Sequence, residues 1–117
     1  MKNLVLTLLV ILFITNCNKT TETPLLLPTA AEPSAKLYNN QGIEHFYKGE
    51  YLEALIKFTQ ANVADSTTGE IYFNIGLMRH LEGNQGKAKE LFKQARNFAN
   101  GNKNILESKL IKKYIGP

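Results

Sequence analysis

The side chains able to do chemistry in this 117-residue sequence are few: one cysteine, Cys17, and two histidines, His45 and His80. A single thiol excludes an internal disulfide framework, a CxxC redox pair and a cysteine-rich zinc site. The histidines lie 35 positions apart, on different predicted helices, and neither has a His or Asp four residues further on, so neither begins a metal site. Glu44 beside His45 and Glu82 near His80 have no nucleophile to serve, and the sequence carries no glycine-rich phosphate loop or hydrolase signature. These residues predict no enzyme activity, no metal and no cofactor. Packing or surface roles are expected for both histidines.

What Cys17 can do depends on what precedes it. Lys2 gives a positive start, and Leu4 to Thr15 form an apolar run broken only by Thr7 and Thr15. A bilayer core about 30 Å thick needs about 20 helical residues, so this run is too short to span it comfortably. The pattern describes a secretory signal peptide over residues 1–16. The segment Ile14-Thr15-Asn16-Cys17 then resembles the lipobox of bacterial lipoproteins, with Cys three residues after an aliphatic one. Asn16 stands where Gly, Ala or Ser is usual, as in the looser spirochaete-type lipobox. The resemblance implies cleavage before Cys17, diacylation of its thiol, acylation of the new amino terminus, and a lipid-anchored membrane protein of the cell envelope. Each buried methylene of such chains contributes about 0.8 kcal/mol to anchoring. Asn18, in place of the Asp that retains some lipoproteins at an inner membrane, points towards the outer membrane. The alternative is an uncleaved anchor or another cut site, with Cys17 a plain thiol.

Residues 17–34 are expected to form a lipidated tether. Pro24, Pro28 and Pro33 oppose a helix, and at about 3.1 Å per residue the segment could hold a domain on the order of 50 Å from a membrane. Leu25, Leu26 and Leu27 stand out in it, with three readings open: docking on the domain, contact with lipid, or a local turn.

The rest of the chain is periodic. Residues 38–61 align without gaps on residues 72–95 at an offset of 34, with identities at Tyr38/Tyr72, Asn40/Asn74, Gly42/Gly76, Gly49/Gly83, Ala54/Ala88, Phe58/Phe92, Gln60/Gln94 and Ala61/Ala95. Spacing and residue types together resemble the tetratricopeptide (TPR) repeat family over residues 35–100. The resemblance implies an all-α fold over 35–117: two TPR helix-turn-helix repeats at about 35–68 and 69–102, plus a C-terminal capping helix at about 103–115, forming an α-solenoid. Helices are expected near 35–48, 51–64, 68–82 and 85–98, with a capping box at Thr67-x-x-Glu70. In the fifth helix, Leu106, Leu110, Ile111, Tyr114 and Ile115 share one face. Gln41, His45, Arg79, Ser66 and Asn100 depart from the family pattern. Two repeats fall short of the roughly three needed for stability, which predicts a marginal monomer or self-association, with a homodimer possible.

By register with TPR proteins, the first helix of each pair would line a groove that receives another protein or a peptide. That lining would comprise Asn39, Asn40, Ile43, Phe46 and Tyr47, then Phe73, Asn74, Leu77, His80 and Leu81. The Lys/Asn pattern that clamps terminal carboxylates in some TPR domains is missing, since Asn39 and Phe73 replace Lys, and Ile43 and Leu77 replace Asn. Asn40 and Asn74 remain to bond a peptide backbone, so an apolar helix or extended segment is the expected partner. Burial of several of these residues by the cap or by a second copy is the alternative.

Charge also has direction along the chain. Net charge is +4 overall, yet residues 17–84 carry 5 basic and 8 acidic groups while 85–117 carry 8 and 2. Lys103, Lys109, Lys112 and Lys113 make a basic end suited to anionic lipid, envelope polymers or an acidic partner. Nucleic acid is not expected for an exported protein. Together these features predict a membrane-anchored interaction or scaffolding module. The rivals are a structural subunit completing a repeat array and an accessory protein binding anionic polymers or lipid.

Overall fold

The computed structural model describes residues 20–117. The signal-peptide reading of residues 1–16 and the lipidation of Cys17 lie outside the described residues. Six helices follow one another there: α1 (Pro33–Tyr47), α2 (Tyr51–Ala64), α3 (Gly69–Leu81), α4 (Gln85–Asn97), α5 (Lys103–Leu106) and α6 (Lys109–Ile115). The fold is all-α, with α1/α2 and α3/α4 as two successive helix-turn-helix units and α5/α6 closing the end. Among the described residues no helix is long and apolar enough to cross a membrane.

Each unit is built round a glycine that admits an aromatic ring. A Cβ on Gly42 would lie 2.5 Å from Phe58 Cε1, and one on Gly76 would lie 2.7 Å from Phe92 Cε1. Phe58 and Phe92 are therefore able to sink fully into the space between paired helices, beside the buried Ala54, Ala61, Ala88 and Ala95. The turns between paired helices use Gly49 at φ 74° and Gly83 at φ 84°, a region that costs an L side chain dearly. Overpacking makes a direct test: Gly42→Val and Gly76→Val should each lose about 1–3 kcal/mol in urea unfolding. Gly86, inside α4 and with nothing within 4 Å of where a Cβ would lie, is the control. Gly86→Ala should instead gain up to about 1 kcal/mol.

Three expectations need correction. The capping helix is not continuous: α5 ends at Leu106, and Ser108 restarts the chain as the N-cap of α6, accepting a hydrogen bond from the Ile111 N–H at 3.1 Å. A serine side chain that bonds the backbone locally competes with helix continuation and favours a cap. The break re-aims the apolar face, so Ile105 is buried and Leu106 is exposed, while Leu110 and Ile111 remain in the core. The capping box is absent too. Helix α3 begins after Thr68, Asp65 accepts from the Thr67 and Thr68 hydroxyls, and the Glu70 side chain is buried.

The third correction concerns the tether. Residues 20–31 lie along the helices and contribute to the core, rather than standing free. Pro24 is buried, and Leu25 and Leu27 pack against the core cluster while Leu26 faces solvent at 71 % exposure. Of the three readings of the Leu25–Leu27 run, docking on the domain is the one observed.

Candidate functional site

The docked segment lies across α1 and α3, and the contact is made through its main chain. The Leu25 N–H donates to Asn74 Oδ1 at 2.7 Å. The Leu25 carbonyl accepts from Asn39 Nδ2 at 3.0 Å and from Asn74 Nδ2 at 2.9 Å. Asn74 Nδ2 also donates to Asn39 Oδ1 at 2.8 Å, which fixes the two amides against each other. Both asparagines are fully buried. An amide side chain carries an acceptor and two donors, so it can match the N–H and C=O of one extended residue at once, whatever side chain that residue bears. What the pair forms is a clamp for peptide backbone.

Its register differs from the expected one. Asn39 aligns with Phe73 across the repeat, and Asn74 aligns with Asn40, so the clamp joins non-equivalent positions. Asn40 is exposed and takes no part in the clamp. The remaining expected lining divides by burial. Phe73 and Leu77 are enclosed in the core, Ile43, Phe46 and Leu81 are half-buried, and Tyr47 is exposed. Phe46 meets Tyr47 edge-on and Tyr51 at a tilt, at centroid distances of 5.2 and 5.4 Å, an aromatic ledge beside the docked segment's start. A cleft of about 920 Å³ opens there, lined by Thr20, Thr21, Glu22, Tyr51, Leu81, Lys109 and Lys113 among others.

The cap closes the second unit. His80 is buried, and its Nδ1 meets the Tyr114 hydroxyl at 2.7 Å. Tyr114 in turn lies 5.2 Å from the Phe92 ring. The docked segment reaches this end as well, since Glu22 Oε2 accepts from the Leu110 N–H at 3.0 Å in the first turn of α6. A carboxylate there also suits the positive end of the helix dipole. His45 instead sits near the surface, 3.3 Å from Glu50. Lys103, Lys109, Lys112 and Lys113 are exposed, and none of the ion pairs among the described residues uses them.

Two buried groups make stability depend on pH. Burial, and then the positive charge of Lys113, hold His80 below its ordinary value, with Glu22 opposing them. The folded chain therefore favours neutral His80, and stability present above the unfolded value of about 6.5 declines as pH falls below it. Burial pushes Glu70 up, with a hydrogen bond from Asn102 opposing. That carboxyl has the opposite sign: its contribution is fully present below the unfolded value and is lost as pH rises through the folded one. His80→Gln should flatten the loss of melting temperature between pH 7 and 5, and Glu70→Gln should raise the melting temperature at pH 7. A His80→Gln profile parallel to that of the native chain would contradict the assignment.

Sequence reasoning missed Pro24 and Glu22 as part of this site, and Tyr114 as the partner of His80. The uniformly apolar Pro24–Leu27 run carries no signal for the first, since a period of two would set Pro24 on the side of the exposed Leu26. A scan against protein-family models and a search of curated proteins both returned no match to this chain.

Proposed function

We propose that the protein is a membrane-anchored, TPR-like interaction module of a bacterial cell envelope, which holds a segment of another protein and performs no chemistry itself. The observation that carries this reading is the Asn39–Asn74 clamp, because it satisfies both polar main-chain groups of an extended peptide residue. The lipobox-like run before Cys17 supports the anchor, and the aromatic ledge supports a protein partner rather than a small polar ligand. Crosslinking in intact cells from a photoreactive residue at exposed Tyr47 tests it, alongside the intact mass of the membrane-extracted chain. A specific crosslinked protein and an acylated Cys17 are expected. Crosslinks only to lipid, or a free Cys17 thiol in the membrane fraction, would overturn the corresponding half of the reading.

A second reading has its own support. Leu52, Ile56 and Val63 are 64 %, 50 % and 85 % exposed on α2, at i, i+4 and i+11 spacing. Such a stripe along one helix suits a self-associated or composite repeat array. Light scattering on the full chain in detergent would show a dimer under this reading and a monomer under the first.

A further inference from the structure

We propose that residues 22–27 are a displaceable plug in the groove, and that the segment replacing them is an extended stretch of another protein with a proline followed by alternating leucine-type residues. The inference rests on the interaction-module reading above and specifies its ligand and its control.

The plug shows what the site accepts. Pro24 is buried, Leu25 is gripped by its main chain and half-buried by its side chain, Leu26 points to solvent, and Leu27 packs on the core. Specificity thus resides in the side chains of Pro24, Leu25 and Leu27, which meet the domain, while the clamp itself is indifferent to sequence. The contacts of the plug are also those of a segment able to leave. It is held by the clamp, the buried Pro24, the half-buried Leu25 and Leu27 and the Glu22 bond to α6, whereas the helices beneath it share a core of fully buried Phe58, Phe73 and Phe92. Segments with few buried contacts open at lower free energy than the core and do so without global unfolding.

Two consequences follow from linkage. A peptide that needs the open groove binds more weakly by the fraction of time the groove is open; with the plug in place roughly 99 % of the time the loss is about a hundredfold. Release also frees the chain between the anchor and α1, so a partner that enters the groove lengthens the tether. Occupancy of the groove and reach from the membrane are then one equilibrium.

Two measurements test the plug. In the native full chain, hydrogen exchange of the Leu25 amide should be at least tenfold faster than that of the α3 core amides of Ile75 and Leu77. Exchange of all three at one rate would mean that the segment leaves only on global unfolding, and would overturn the proposal. The second measurement uses a fluorescein-labelled peptide with the sequence of residues 20–31. A full-length Leu25→Pro/Leu27→Ser variant, which removes the N–H held by Asn74 and one buried side chain, should bind this peptide at least tenfold more tightly than the native chain. Equal binding by the two chains, or no binding by a variant whose helical circular dichroism is intact, would overturn it. If the variant does not fold, the exchange rates alone decide. The interaction-module reading fails separately: a Leu25 amide that opens locally, in a chain that crosslinks to no protein in cells, retains the plug and removes the partner.

Discussion

Phe92→Ala is expected to cost about 3–5 kcal/mol, a large share of the roughly 5–15 kcal/mol that holds a domain together. The reason lies in how many elements meet on that ring. It rests against the bare Cα of Gly76 in α3, 5.9 Å from the Phe73 ring and 5.2 Å from Tyr114 in α6. Truncation opens a cavity between α3 and α4 and removes the surface on which the cap sits. Neither glycine nor a neighbouring helix backbone can move in to fill it, because Gly76 has no side chain to offer. Tyr114, having lost its ring partner, also loses the support that aims its hydroxyl at His80. The effects of Phe92→Ala and Tyr114→Ala should therefore combine to less than their sum, since contacting residues couple by about 0.5–3 kcal/mol. Urea unfolding with a double-mutant cycle measures both. A single-mutant loss below about 1 kcal/mol, or strict additivity, would show that the cap is held elsewhere.

The helix pairs were legible in the sequence because their determinants are local and repeated. Gly42 and Phe58, then Gly76 and Phe92, state the same packing solution twice at one offset, and the turn glycines fix where each pair bends. The expected helices end within a residue or two of those observed. The cap was legible only as an apolar face. Ser108 breaks it, and whether a serine continues or caps a helix depends on tertiary burial, here of Ile105 and Ile111. The groove was half legible. Its register named Asn39 and Asn74, but Phe73 and Leu77 belong to the core, where the Phe73 ring lies 5.9 Å from that of Phe92 in α4. Docking of the segment could be read only as one of three alternatives, because the bonds that decide between them are not local. Leu25 is bonded to residues 14 and 49 positions away, and no local propensity encodes such a contact.

Asn74→Ala is the variant that separates the segment from the helices. It removes the acceptor of the Leu25 N–H, one of two donors to the Leu25 carbonyl, and the donor to Asn39. A buried polar group left unpaired costs about 1–3 kcal/mol, so the segment cannot stay docked with its N–H orphaned unless the rest of its contacts outweigh that. Once undocked, Leu25 regains water, and the loss is capped at the free energy of docking. The expected result is a loss of about 2 kcal/mol, with fast exchange at Leu25 and Leu27 and slow exchange retained in α3. Asn74→Asp separates the accepting half of the clamp from the donating half. Its carboxylate can still accept from the Leu25 N–H, yet it faces the Leu25 and Asn39 oxygens, which the amide had reached as a donor. Burial and those oxygens both disfavour the charged form, so the folded-state value of this Asp lies above its unfolded value of about 3.9. Stability of the Asp variant is then greatest below that value and falls as pH rises through the folded one. At pH 7 Asn74→Asp should be less stable than Asn74→Ala, and at pH 4 the difference should shrink or vanish. An Asp variant as stable as the native chain at pH 7 would mean that the Asn74 donor adds nothing to the clamp, and that Asn39 alone suffices to hold the Leu25 carbonyl.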